Sequence, residues 1–92
     1  MAKYTTRVEL HHANYIDYET LHTAMAAEGF SRTISDGKKT YRLPEAEYNC
    51  DSDAEKDVVL AAAERAASKT RKRYAILVTK SDGRTWTGLD EV

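Results

Sequence analysis

The alternation of apolar and polar residues near the start of the chain predicts a strand. One side of an extended segment would carry Tyr4, Thr6, Val8 and Leu10, and the other side would carry Thr5, Arg7 and Glu9. Successive side chains of a strand point to opposite faces, so this period-two pattern is typical of a strand with one buried face. We expect a half-buried strand over residues 4–10, with the first set facing the core.

A helical pattern follows this strand. Asn14 is a suitable N-cap, and Asp17 three residues later complements the positive end of a helix. Apolar residues then recur at helical spacing at Tyr18, Leu21 and Met25. Gly29 predicts the end of the helix, because glycine adopts the left-handed C′ conformation at the lowest cost, and Phe30 can then fold back onto the helix.

The pair Asp36-Gly37 is a turn signal between two extended segments. It predicts a hairpin whose strands cover residues 30–35 and 38–48. A two-residue loop would pair Ser35 with Lys38. Pro44 cannot donate a main-chain hydrogen bond, so it indicates a bulge or a place where the pairing lapses.

The second half of the chain begins with Ser52 and Glu55, which have the spacing of a capping box and predict a helix over residues 53–69. The segment from Tyr74 to Val78 is nearly all apolar, which predicts a strand covered on both faces. Asp82-Gly83 offers a further turn, after which residues 84–87 can pair back as a fifth strand. That strand would cover a sheet edge, in the same chain or across a dimer.

These elements predict one domain over residues 1–92. Their βαββαβ order is that of an α+β ferredoxin-like sandwich, in which two helices cover one face of an antiparallel sheet. The other face of the sheet would then be open to a partner. Periodicity alone leaves the function undetermined, because one fold carries many functions.

Composition narrows the class of protein. Hydrophobic residues make up 41% and charged residues 32% of the chain, which indicates a globular domain and not a disordered one. No apolar run approaches the ~20 residues of a membrane span, so no membrane partner is predicted and the cytoplasm is the expected compartment. Cys50 is the only cysteine, which excludes an internal disulfide and a cysteine metal cluster.

The formal net charge of −1 is unevenly distributed. Six acids and one lysine lie between Glu45 and Asp57. They cross a predicted helix start, where their side chains would not converge, so neither a metal nor another cofactor is predicted.

A basic run follows the second predicted helix. It consists of Lys69, Arg71, Lys72 and Arg73, and Lys80 and Arg84 lie close by on the expected hairpin. We predict that these six residues bind RNA, since arginine forks match phosphate oxygens. The alternative is structural, because cations at the C-terminal end of a helix are favoured by the helix dipole alone.

Two consecutive histidines are the candidate catalytic groups. If the protein cuts RNA, we expect metal-independent chemistry in which His11 or His12 takes the 2′-hydroxyl proton, and Arg7 and Arg32 stabilise the pentavalent phosphate. The histidines can equally be solvated loop residues, and the arginines can pair with neighbouring acids. His22, at the margin of the apolar stripe of the first helix, is interpreted as a boundary residue.

The segment LHTAMAAEGFSRT, from Leu21 to Thr33, together with the preceding strand, resembles the bacterial GhoS-type antitoxins of type V toxin–antitoxin systems. The similarity in residues is specific around the first helix and Gly29-Phe30-Ser31. Family members are ferredoxin-like, similar to the CRISPR-associated Cas2 proteins, and the founding member is an endoribonuclease that cuts its toxin's messenger RNA. The resemblance implies a cytoplasmic bacterial or prophage protein that binds single-stranded mRNA. No family catalytic motif matches residue by residue, and His11 and His12 stand where Cas2-like proteins carry an aspartate.

A non-catalytic interaction module with the same fold is the alternative function. An unpaired edge strand and the hairpin around Trp86 would let the protein pair with a partner or form a homodimer. A phage protein that binds a host factor is a third interpretation, and nothing in the sequence selects that factor.

Overall fold

The elements follow the expected βαββαβ order, with one of the strands divided in two. A computed structural model describes residues 1–92. The elements are β1 (Ala2–Leu10), α1 (Tyr15–Ala27), β2 (Thr33–Ser35), β3 (Thr40–Arg42), β4 (Glu47–Ser52), α2 (Lys56–Ser68) and β5 (Tyr74–Lys80). The division falls between β3 and β4, around Pro44, where the predicted lapse in pairing is confirmed.

The sheet has β1 at its centre. The strand order is β4-β1-β5, and both neighbours run antiparallel to β1. Ser31 exchanges two main-chain hydrogen bonds of 2.7 Å with Asn49, which places the start of the hairpin on the outer side of β4. This arrangement is the α+β ferredoxin-like fold, as predicted.

The core lies on one face of this sheet. Its strand residues include the inward set of β1 that the alternation predicted, and each of these residues is at most 6% exposed: Tyr4, Thr6, Val8 and Leu10. Both helices pack on that face, α1 through Leu21 and Met25 and α2 through Val59 and three buried alanines. Because alanine side chains are short, α2 lies close to the sheet.

Helix α1 begins and ends as the sequence predicts. The Asn14 side chain accepts a hydrogen bond of 3.0 Å from the Asp17 main chain, and the Asp17 carboxylate accepts one of 2.9 Å from the Asn14 main chain. At the other end Gly29 has a φ of +94°, and the Phe30 N–H donates to the carbonyl of Met25. These are a reciprocal capping box and a glycine-terminated helix end.

The predicted start of α2 is wrong. Glu55 is the N-cap residue, and its side chain makes no capping hydrogen bond. The Ser52 hydroxyl instead accepts from the main-chain N–H of Ala54, two residues on, because Ser52 still belongs to β4. A local turn therefore replaces the expected capping box, and α2 begins three residues later than predicted.

The predicted register of the hairpin is wrong by two residues. Ser35 pairs with Thr40, and the Asp36 N–H donates to the Lys39 carbonyl, so Gly37 and Lys38 form the loop. The reason is the Asp36 carboxylate, which accepts hydrogen bonds of 2.8 Å from the main chain of both Lys38 and Lys39. Asp36 thus precedes the turn as its hydrogen-bonding side chain and does not occupy a central position.

The predicted fifth strand is also wrong. Residues 81–92 do not pair back on β5 but cross the second face of the sheet and reach β3. The Arg42 N–H donates to the Asp90 carbonyl, and the Val92 N–H donates to the Thr40 carbonyl. On the way, Trp86 packs edge-on against Tyr41, with ring centroids 5.6 Å apart. The outer edge of β5 consequently has no partner strand.

The second face of the sheet is therefore partly covered. Ile34 and Leu43 of the hairpin segment are buried there, outside the main core, and line a crevice with Trp86 and Leu89. The rest of this face is bare, and Leu77 of β5 is 64% exposed. The prediction that β5 is covered on both faces is wrong, because its run of apolar residues faces the core only at alternate positions.

Two adjacent threonines of β1 should respond in opposite ways to replacement by valine. The Thr6 hydroxyl is fully buried and has no hydrogen-bond partner, so Thr6→Val should raise the free energy of unfolding by about 1 kcal/mol. The Thr5 hydroxyl, on the other face, accepts a hydrogen bond from Arg84, so Thr5→Val should lower it by about 0.5–1.5 kcal/mol. Urea unfolding of both variants measures the two changes in the free energy of unfolding. Changes of the same sign would contradict the assignment of Thr5 and Thr6 to opposite faces of the sheet.

Candidate functional site

The two histidines lie at one end of the sheet, beside the connection between α2 and β5. The main-chain N–H of His11 donates a hydrogen bond of 2.8 Å to the carbonyl of Arg73. His12 follows with a φ of +54°, so its backbone is left-handed and turns the chain toward α1. His11 is half-buried and His12 is exposed. The structure therefore joins the predicted catalytic histidines to the predicted basic run.

A buried threonine shapes this basic connection. The Thr70 hydroxyl donates to the carbonyl of Ala67 at 2.7 Å and accepts from the main-chain N–H of Lys72 at 3.2 Å. Between them, Arg71 has a φ of +61°. A left-handed backbone costs a non-glycine residue roughly 1–3 kcal/mol, and such residues cluster at functional sites. Two of the three such residues in this protein, His12 and Arg71, lie at this end.

The charge at this end is mostly uncompensated. The Lys72 ammonium lies 3.7 Å from the Asp17 carboxylate at the start of α1. No carboxylate lies within 4 Å of the charged groups of Lys69, Arg71 or Arg73, all of which are exposed. A surface with unpaired cations and two histidines attracts phosphate groups over roughly 8–10 Å at cellular ionic strength.

The two predicted stabilising arginines are not part of this cluster. Arg7 lies on the second face of β1, four residues and about 13 Å before His11 along the strand. The Arg32 guanidinium lies on the helix-covered side, 3.5 Å from the Glu45 carboxylate. The structure therefore does not bring Arg7 and Arg32 together with each other or with the histidines.

The predicted RNA-binding set is likewise divided between the two ends of β5. Lys69, Arg71, Lys72 and Arg73 precede the strand, whereas Lys80 ends it and Arg84 follows it. Seven residues of strand separate the two groups by about 20 Å. They cannot contact the same phosphate, so the two groups form separate surfaces.

A buried histidine network occupies the helix-covered side of the sheet. His22 of α1 is 9% exposed, and its two ring nitrogens lie 2.6 Å from the Tyr48 hydroxyl and 2.9 Å from the Glu45 carboxylate. Helical periodicity put His22 at the margin of the apolar stripe, and that position was its only signal in the sequence. Its partners lie more than 20 residues away along the chain, so local patterns could not reveal the network.

The buried hydroxyl of Tyr48 stays protonated in this network, because burial raises the pKa of Tyr48 well above its ordinary value. It shares a hydrogen bond with Nδ1 of His22. The oxygens of a carboxylate accept hydrogen bonds, so Nε2 of His22 donates to Glu45. Both ring nitrogens of His22 have a partner, so the network ties α1 to β4 and to the segment that precedes β4.

Tyr48→Phe should reveal how much this tie contributes. The change leaves Nδ1 of His22 buried without its hydrogen-bond partner, so the free energy of unfolding should fall by about 1–3 kcal/mol. Tyr15→Phe is the matched control, because Tyr15 is 76% exposed, and it should change stability by less than about 0.5 kcal/mol. Equal losses in the two variants, measured by urea unfolding, would show that the network contributes nothing.

The structure holds no group of three or more His, Cys, Asp or Glu side chains placed to bind a metal ion together. None of its helices is long and apolar enough to cross a membrane. Comparison with protein-family models, with curated proteins and with solved structures found no match.

Proposed function

We propose that the protein binds single-stranded RNA at its basic end and cuts it there without a metal. The basic end is formed by His11, His12, Lys69, Arg71, Lys72 and Arg73. The observation that carries the proposal is the hydrogen bond between His11 and Arg73, which places the histidines beside the basic run. Residues that can transfer a proton and residues that can bind phosphate are thereby neighbours at one end of the sheet.

The basic end suits the backbone of a flexible strand. Its arginines are exposed and have no carboxylate partner, so their forked donors are available to phosphate oxygens. The connection that carries them is held in one conformation by Thr70. A cation on a fixed backbone loses less entropy on binding than one on a mobile loop, which favours phosphate binding here.

The cleavage step needs groups that this end supplies. One histidine takes the proton of a 2′-hydroxyl, and the oxygen attacks the adjacent phosphorus. The bond to the 5′-oxygen breaks, and that oxygen receives a proton from the second histidine or from water. Arg71 and Arg73, which share this end with the histidines, would stabilise the charge on the phosphate in place of the predicted Arg7 and Arg32.

The resemblance to GhoS-type antitoxins supports messenger RNA as the RNA concerned, and therefore a cytoplasmic site of action.

We propose in addition that the protein forms a homodimer, which the bare outer edge of β5 favours. Alternation of hydrogen bonds in an antiparallel pair directs the main-chain groups of Tyr74, Ile76, Val78 and Lys80 away from β1. Such an edge can pair with a second copy, and the mass of the protein in solution decides whether it does.

Replacing Arg71, Lys72 and Arg73 together by Ser should weaken RNA binding and reduce its dependence on salt. Each lost phosphate contact lowers the slope of log affinity against log salt by about 0.7 for a single strand, so three contacts lower it by about 2. The matched control replaces Lys38, Arg42 and Lys56, which are exposed, unpaired and remote from the basic end. Filter binding over a salt series distinguishes the two triple variants, and an equal slope in both would contradict the proposal.

Cleavage is tested with purified protein and unstructured RNA, with and without EDTA. We expect cutting in both conditions, and a rate lowered about 100-fold or more in His11→Gln or His12→Gln. Arg7→Gln and Arg32→Gln should cut at the normal rate, because both side chains lie away from the basic end. Intact RNA throughout would remove the catalytic part of the proposal, and cutting that EDTA abolishes would remove this mechanism.

A further inference from the structure

A polar recess lies at the opposite end of the sheet from the basic end. It has a volume of about 600 Å³ and is bounded by the start of β1, the end of β5 and the tip of the β2–β3 hairpin. Its side chains include Lys3, Lys80, Arg84 and Trp86, with one carboxylate, that of Asp36. A mononucleotide fits within this volume, since small-molecule sites span roughly 300–1,000 Å³.

Arg84 is held in place without a counter-ion. Its Nη1 donates to the Asn49 side-chain oxygen at 2.6 Å and to the Thr5 hydroxyl at 3.2 Å, and both of these partners are neutral. The guanidinium is half-buried, no carboxylate lies within 4 Å of it, and Nε and Nη2 have no partner. Arg65 makes two hydrogen bonds to a carboxylate instead, that of Glu28.

This arrangement is typical of an anion site. A partly desolvated cation is ordinarily paired with an opposite charge, and an arginine fork that is already oriented binds a phosphate with little loss of entropy. Lys80 adds a further cation to the recess and has no carboxylate within 4 Å, whereas the Lys3 ammonium lies 3.6 Å from the Asp51 carboxylate. Asp36 does not offset Arg84 and Lys80 fully, because its carboxylate is turned to the Lys38 and Lys39 main chain of its own turn.

Trp86 supplies a flat aromatic surface in the same recess. Its ring makes an edge contact with Tyr41, in which the two ring planes are inclined at 64°. The indole is half-buried and also lines the neighbouring apolar crevice. An aromatic face beside oriented cations is the combination with which proteins bind nucleotides, the ring stacking on the base and the cations contacting the phosphate.

We propose that this recess binds a nucleoside phosphate, with the phosphate on Arg84 and Lys80 and the base on Trp86. The ligand is a free mononucleotide or the terminal nucleotide of a strand. The site is about 20 Å from the basic end and does not depend on the function proposed for that end.

The single tryptophan of the chain makes the site directly observable. The full-length protein is titrated with AMP while the emission of selectively excited Trp86 and the heat of binding are recorded. We expect both signals to saturate together, and AMP to bind more tightly than adenosine or inorganic phosphate alone. Short RNA with and without a terminal phosphate distinguishes a strand end from a free nucleotide.

Arg84→Gln should weaken AMP binding about tenfold or more, because a charge-assisted contact is lost. This variant also corrects for light absorbed by the nucleotide, since it retains Trp86. Arg84 additionally anchors residues 81–92, so Lys80→Ser, which changes an exposed residue at the end of β5, provides an independent test and should weaken AMP binding as well.

The basic-end variant that replaces Arg71, Lys72 and Arg73 should bind AMP normally, whatever its affinity for RNA. Loss of AMP binding in that variant would overturn the assignment to the recess. So would the absence of any Trp86 response, or AMP affinity that Arg84→Gln and Lys80→Ser leave unchanged. Failure of RNA binding at the basic end, with AMP binding intact, would reject only the function proposed above.

Discussion

The pairing of β1 with both of its neighbours is the interaction on which the rest of the structure depends. Its residues hydrogen-bond to β4 on one side and to β5 on the other, so every β1 side chain is assigned to one of two faces. Tyr4 and Val8 face the helices, whereas Thr5 and Arg7 lie on the second face of the sheet. A slip of one residue would exchange the two sets and bury a charge, which strongly fixes the register.

The same pairing separates the charged surfaces of the protein. Because β5 is antiparallel to β1, the end of β1 meets the start of β5, and His11 lies beside Arg73. The end of β5 lies beside the start of β1, where Lys80 and Lys3 line one recess. A chain with almost no net charge thus carries cations without a carboxylate partner at both ends of the sheet, Arg71 and Arg73 at one end and Lys80 and Arg84 at the other.

The second face of the sheet differs from an open platform for single-stranded RNA. The hairpin and residues 81–92 cover the part near Thr5 and Asn49, and Arg84 attaches this cover by donating hydrogen bonds to the uncharged side chains of these two residues. Only the part around Arg7 and Leu77 stays bare. RNA that bound along this face would have to displace the cover, whereas the basic end is accessible as it stands.

Local patterns in the sequence determined the order of elements, the inward face of β1 and both ends of α1, because period-two alternation, the Asn14 cap and Gly29 act over a few residues. They could not determine the register of the hairpin. Gly37 is compatible with a turn centred on residues 36–37 or on residues 37–38, and the hydrogen bonds that the Asp36 carboxylate accepts stabilise the second of these. Only the tertiary structure decided three further features: the path of residues 81–92, the partners of His22, and the position of the histidines beside the basic run. Each depends on contacts between residues far apart in the chain, such as Arg84 with Thr5, and the periodicity of a sequence gives no information about such contacts.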